Sequence, residues 1–76
     1  MFDKNIFSER LILLRKNKSL STRALAAEIG ISQQAISQFE KQATYPHCNT
    51  LCALADYFQV SLDYLAGRSD NPEINK

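Results

Sequence analysis

The sequence has little with which to build sheet turns, a membrane span or a catalytic centre. Its 76 residues include two glycines and two prolines, too few for the tight reversals of a many-stranded sheet. No apolar run approaches the roughly 18 residues that cross a bilayer. Residues 1–4 lack the basic-then-apolar pattern that opens a secretory signal. A cytoplasmic chain without a membrane anchor is the expectation. There is one histidine and no Gly-x-Ser-x-Gly, and both glycines are needed to end helices, leaving none for a phosphate-cradling loop. No carboxylate pair falls on an obviously concave surface, so no enzyme is expected and no cofactor is called for.

Cysteine is scarce too. Cys48 and Cys52 lie four residues apart, with His47 adjacent. A metal site of the usual kind needs three or four converging ligands, and neighbours such as His47 and Cys48 diverge on a helix, so no metal is expected. Helical side chains at this spacing also close a disulfide poorly. Both thiols are expected to serve as small core fillers.

What is present suits one small soluble domain: 45% apolar and 22% charged residues, with neither the composition of a disordered tail nor room for a second core. The net charge of +1 conceals an asymmetry, because residues 1–45 carry +3 and residues 46–76 carry −2. A polyanion would approach the first part. Charge alone leaves a chance split of a solvated surface equally open.

Apolar spacing is helical throughout. Phe7, Leu11 and Leu14 place a first helix over residues 5–17, with Asn5 as its N-cap. Leu20 anchors the next turn, and Ser21 caps a second helix over 22–29 that turns Leu25, Ala26 and Ile29 inward. Gly30 supplies the left-handed residue of a sharp reversal. Ile31 plugs that turn, and Ser32 caps a third helix from 33 to about 41. A connection over 42–46 leads to a fourth helix ending near Phe58 that buries Leu51, Leu54, Ala55 and Phe58. Val60 anchors a turn, and Ser61 caps a short fifth helix over 62–66 that Gly67 stops. The expected fold is all-α, a compact five-helix domain over residues 1–68, followed by a short polar tail, 69–76, expected to fray. Ile6, Leu13 and Tyr57 flank the buried stripes. They read as a widened core covered by the fifth helix, with a subunit or partner contact as the alternative.

The stretch from Ser21 to Glu40 carries the functional information. Two helices meet at a tight turn, and small Ala26 lets them cross closely. At roughly 100° per residue, Ile36, Phe39 and Ala35 set the buried side of the third helix, leaving Gln33, Gln34, Ser37, Gln38 and Lys41 on the opposite face. A face built only for solubility would carry more Glu and Lys. A glutamine amide offers a donor and an acceptor in one plane, matching the N6/N7 edge of adenine in the major groove. The alternative is the polar solvent face of an ordinary bundle helix, and the face alone favours base reading.

Leu14-Arg15, Leu20-Ser21, Ala24-Leu25-Ala26, Ile29-Gly30-Ile31-Ser32, Ile36-Ser37, Phe39-Glu40, Pro46, Leu51, Ala55, Phe58, Val60-Ser61, Asp63-Tyr64-Leu65 and Gly67-Arg68 together resemble the Cro/C1-type (Xre family) helix-turn-helix domain. The resemblance spans about residues 7–68. It implies a lambda-repressor-like five-helix fold whose third helix enters the major groove, in a bacterial or phage transcriptional regulator, a repressor most often, that binds double-stranded operator DNA as a homodimer. Carried over by position, base reading falls on Gln33, Gln34, Ser37 and Gln38. Phosphate contacts fall on Thr22 with Arg23 beside it, and on Ser32, Lys41, Thr44 and Tyr45, with Lys18 as an extra contact. Thr22 needs no charge for this, because a helix N-terminus itself attracts anions. Arg15 and Glu40 match a structural ion pair between the first and third helices. No small-molecule ligand is expected.

Three positions depart from the family pattern. Thr22 stands where glutamine is common, Gln42 where glycine is common, and Thr44 where arginine is frequent. These departures bear on affinity and on how the third helix ends. The missing Thr44 cation and the near-zero net charge keep a second hypothesis in view: an antitoxin or adaptor of the same fold, whose main partner is another protein.

Overall fold

The computed structural model describes residues 4–73. Among them are five α-helices and no strand: α1 (Lys4–Asn17), α2 (Thr22–Ile29), α3 (Gln33–Glu40), α4 (Cys48–Phe58) and α5 (Leu62–Ala66). The all-α, five-helix expectation is met. Asn5 is not the N-cap of α1 but its second residue. Burial of Phe7 and Leu11 holds the first turn helical and overrides the capping preference of asparagine.

One core serves all five helices. Phe7 and Leu11 of α1 meet Leu25 and Ala26 of α2, Ile36 and Phe39 of α3, the stripe Leu51, Leu54, Ala55 and Phe58 of α4, and Leu65 and Ala66 of α5. The rings of Phe7 and Phe39 pack edge to face at 6.0 Å, the geometry their quadrupoles favour. Ala26 is buried in the crossing of α2 and α3, the helices that pack most extensively on each other.

The chain reverses between helices with one device, used three times. A left-handed residue ends a helix, an apolar residue turns into the core, and a serine opens the next helix. Ser19 (φ 56), Gly30 (φ 85) and Gln59 (φ 59) are the left-handed residues. They are followed by Leu20, Ile31 and Val60, and these by Ser21, Ser32 and Ser61. The three serine hydroxyls accept from the backbone N–H groups of Ala24, Ala35 and Tyr64 at 3.0–3.1 Å. Each such cap contributes about 1 kcal/mol. The connection after α3 also passes through a left-handed residue, Gln42 (φ 63). Glutamine there adopts the backbone a glycine would take, so α3 ends in the usual way at the cost of about 1 kcal/mol of strain.

A polar clamp fixes α1 to the end of α3. Arg15 donates from Nε to Glu40 Oε2 at 2.6 Å and from Nη2 to Oε1 at 3.1 Å, while its Nη1 reaches the Leu20 carbonyl at 2.8 Å. Both charged side chains are about 86% buried (14% and 13% exposed), so this bidentate pair is far from a surface ion pair. Ser8, itself buried, donates from its hydroxyl to the Glu40 carbonyl at 2.7 Å.

Three details correct the sequence-based expectations. Cys48 and Cys52 are exposed rather than core fillers, because Leu51, Leu54, Ala55 and Phe58 take all of the inward stripe of α4 and leave both thiols outside it. Leu13 is 52% exposed and so is not covered by α5; Tyr57 does pack against the core. The tail does not fray over residues 69–72. Arg10 donates to the carbonyls of Tyr64 and Ser69 and pairs with Asp70, and its guanidinium lies 4.0 Å from the centre of the Tyr64 ring. The Ser61 N–H donates to the Pro72 carbonyl at 2.8 Å, and its hydroxyl donates to that of Asn71. The Arg10 contacts join residues 54–60 positions apart, and the Ser61 contacts reach past the end of α5 to the tail, both beyond the reach of local pattern reading.

Candidate nucleic-acid interface

The first turns of α2 and α3 lie side by side. Gln33, the first residue of α3, donates from Nε2 to the hydroxyl of Thr22, the first residue of α2, at 3.2 Å. That bond orients the Gln33 amide while leaving its Oε1 and a second N–H for another partner. Gln33 and Gln34 are exposed, and Ser37 and Gln38 are half-buried. The amide strip therefore faces outward, with its first two members most open and the last two nearer the protein surface.

Around the strip lie the groups suited to an anion. Arg23 and Lys41 are exposed, as is Ser32. The Ser32 hydroxyl accepts from Ala35, which keeps its own proton available to donate. Two helix N-termini add uncompensated N–H groups and the positive ends of their dipoles. Thr44 and Tyr45 are exposed in the segment after α3, and the Lys4 ammonium lies 5.2 Å from the centre of the Tyr45 ring. Sequence reasoning did not pick out Lys4. Its proximity to Tyr45 is a tertiary contact across more than forty residues, with no signal in spacing. Lys18 is exposed at its backbone turn, but its ammonium lies 5.3 Å from the Tyr57 ring centre, a contact that draws it toward α4.

Elsewhere the chemistry is sparse. A surface cleft of about 350 Å³ lies among α4, α5 and the tail, lined by Cys52, Asp56, Leu62, Asp63, Asn71 and Glu73 among others. It includes no residue of α2 or α3. Among the described residues, no three His, Cys, Asp or Glu side chains come together as a metal-holding group, and no helix is long and apolar enough to cross a membrane.

Two helices joined at a glycine turn, the second with a polar outward face, held by the three further helices α1, α4 and α5, define a helix-turn-helix protein. The family model for helix-turn-helix proteins matches residues 11–65, and the chain belongs to that family in its Cro/C1-type form. It is 34% identical over 68 residues to the uncharacterized HTH-type transcriptional regulator YobD of Bacillus subtilis, a match covering 90% of this chain and 61% of YobD. It is 38% identical over 60 residues to the repressor protein C2 of Salmonella phage P22, covering 79% of this chain and 28% of C2. The chain thus spans less than two thirds of these relatives. Among solved structures, the P22 c2 repressor in complex with a synthetic operator superposes with a TM-score of 0.79 at 36% identity, covering 84% of this chain and 97% of that one. These relatives are transcription regulators, not enzymes.

Proposed function

We propose that the chain is a sequence-specific DNA-binding transcription regulator, acting in the cytoplasm as a homodimer and most simply as a repressor. Its α3 enters the major groove of a pseudo-palindromic operator. Gln33, Gln34, Ser37 and Gln38 read base edges, and Thr22, Arg23, Ser32, Lys41, Thr44 and Tyr45, with Lys18, meet phosphates. The observation that carries this reading is the pair of exposed amides, Gln33 and Gln34, at the start of α3, the first of them held by Thr22 where two helix N-termini meet. Glutamine pairs bidentately with adenine N6 and N7, and the flanking N–H groups and cations hold the backbone in register. Likeness to a repressor solved on operator DNA supports the same use.

Helix number argues for two copies. Each chain carries one α3, and successive major-groove faces on one side of a duplex lie roughly 34 Å apart. One copy can occupy one half-site, so a two-groove operator takes a pair. With Lys18, Arg23 and Lys41 neutralising phosphates in each subunit, log K should fall against log salt with a slope of roughly −5 for the dimer.

The test is selection of bound duplexes from a random pool, followed by mobility shift with Gln33→Ala and Gln34→Ala. Both variants should keep the parent circular dichroism spectrum and bind DNA without discriminating among sequences. Selective binding by both would remove α3 from base reading. Failure of the parent to hold any duplex at low salt would leave the protein-binding alternative, an antitoxin or adaptor.

A further inference from the structure

Cys48 and Cys52 are both exposed and both lie on α4, one helical turn apart. Side chains at this spacing share a face, with their Cβ atoms about 5–6 Å apart. On one exposed face of the same helix, the two thiols can rotate toward each other without disturbing the packing of α4. Neither contributes to the buried core, and neither has a role in the amide strip on α3.

We propose that Cys48 and Cys52 form a two-coordinate site for a soft monovalent cation of the copper(I) type. Loading breaks two S–H bonds and forms two S–Cu bonds; both protons leave to solvent and no electron is transferred. The exclusion argued from the sequence concerned ions that demand three or four ligands. Copper(I) needs only two, and it is among the soft metals that thiolates favour, where zinc would demand four ligands. With metal–thiolate bonds of about 2.3 Å, a near-linear S–Cu–S unit spans roughly 4.5 Å, a distance that two side chains on adjacent turns can bridge by small rotations. The position suits the charge. Two thiolates on a monovalent ion leave a net negative unit, and Cys48 is the first residue of an eleven-residue helix whose N-cap residue, His47, makes no side-chain cap bond. The dipole and unpaired N–H groups of that first turn favour an anion. Asp56, one turn beyond Cys52, opposes it. The opposition is partial, because Asp56 is itself exposed to water.

This inference rests on no part of the DNA-binding reading. The test is anaerobic titration of the reduced chain with copper(I) against a chromogenic copper(I) chelator. One ion per chain is expected, and Cys48→Ser and Cys52→Ser should each weaken retention at least about a hundredfold, since each converts a chelate into a single-point contact. Both positions are exposed, so each serine variant should keep the parent circular dichroism spectrum. X-ray absorption at the copper edge of the loaded parent should report two sulfur neighbours. The proposal is overturned if the parent takes up no ion, if it takes up two independently, if either serine variant competes as well as the parent, or if the copper has other than two sulfur ligands.

Discussion

The α2–α3 and α4–α5 pairs are built on the same reversal and put to different uses. In each, a left-handed residue is followed by an apolar plug and a serine cap: Gly30-Ile31-Ser32 in one, Gln59-Val60-Ser61 in the other. Backbone bonds close both turns in the same sense, from Ile31 N to Ala26 O and from Val60 N to Ala55 O, each at 3.0 Å. The difference lies in what happens beyond the serine. At Ser32 the helix N-terminus is open and its first side chains are two exposed glutamines. At Ser61 the chain's own tail occupies the N-terminus through the carbonyls of Pro72 and Asn71. The local device therefore makes a helix N-terminus, and tertiary structure decides whether that terminus is available to a ligand.

The clamp behind α3 should be the costliest place to break this arrangement. Arg15→Ala would strand the Glu40 carboxylate in a site where it is about 87% buried (13% exposed) and remove the donor to the Leu20 carbonyl. Removing one partner of a buried pair costs about 3 kcal/mol, and each kilocalorie lowers the melting temperature of a domain this size by about 4–8 °C. Thermal unfolding followed by circular dichroism should show a drop well beyond 10 °C in order of magnitude. An unchanged midpoint would mean that the pair contributes no more than a surface one.

How much of this could be read from the sequence differs between the two pairs for the same physical reason. In α2–α3 nearly every role is local. Ser21 and Ser32 cap, Gly30 turns, Ile36 and Phe39 face inward, and the remaining face is open by subtraction, so helical spacing alone locates the amide strip. In α4–α5 the roles are contextual. Cys48 and Cys52 look like small apolar residues until the stripe of α4 is seen to be complete without them. Ser61 looks like a cap, and its second duty of holding the tail depends on residues ten positions away. Ser8 and Arg10 gave no periodic signal, because their partners lie 32 and more than 50 residues along the chain. The hydrogen bond between Thr22 and Gln33 lies between these cases: the sequence placed both residues at helix starts, but only the crossing of α2 and α3 shows that they touch.

Ser61→Ala probes the other side of the comparison, with a smaller effect. It removes the cap to Tyr64 N and the hydroxyl bond to Asn71 while leaving the backbone bond to Pro72. Loss of a serine cap costs about 1 kcal/mol, and a further fraction attends the tail contact. Hydrogen exchange should show faster exchange at Tyr64 than in the parent. The matching change at Ser32 should cost a similar cap but release no tail. If both variants lose the same stability and neither alters exchange beyond its own helix, the tail contributes nothing to closing the α5 terminus.

The smallest effect separates the two left-handed residues themselves. A Cβ added at Gly30 would meet nothing within 4 Å, so Gly30→Ala isolates the cost of the backbone angle (φ 85), about 1 kcal/mol with no steric contribution. Gln59→Gly runs the other way at φ 59, relieving comparable strain. Two opposing terms reduce its gain: glycine loosens the unfolded chain, and the Gln59 amide gives up its bond to the Asp56 carbonyl at 2.8 Å. That bond spans only three residues on an exposed surface, so its loss is worth a few tenths of a kcal/mol, less than its nominal value. The net change at Gln59 should be a gain of no more than about 0.5 kcal/mol, against a loss of about 1 kcal/mol at Gly30, both read from urea midpoints at constant slope. A clear loss of stability in Gln59→Gly would show that the glutamine amide, rather than the backbone angle, governs the α4–α5 turn, and that the two reversals are alike in shape but not in what holds them.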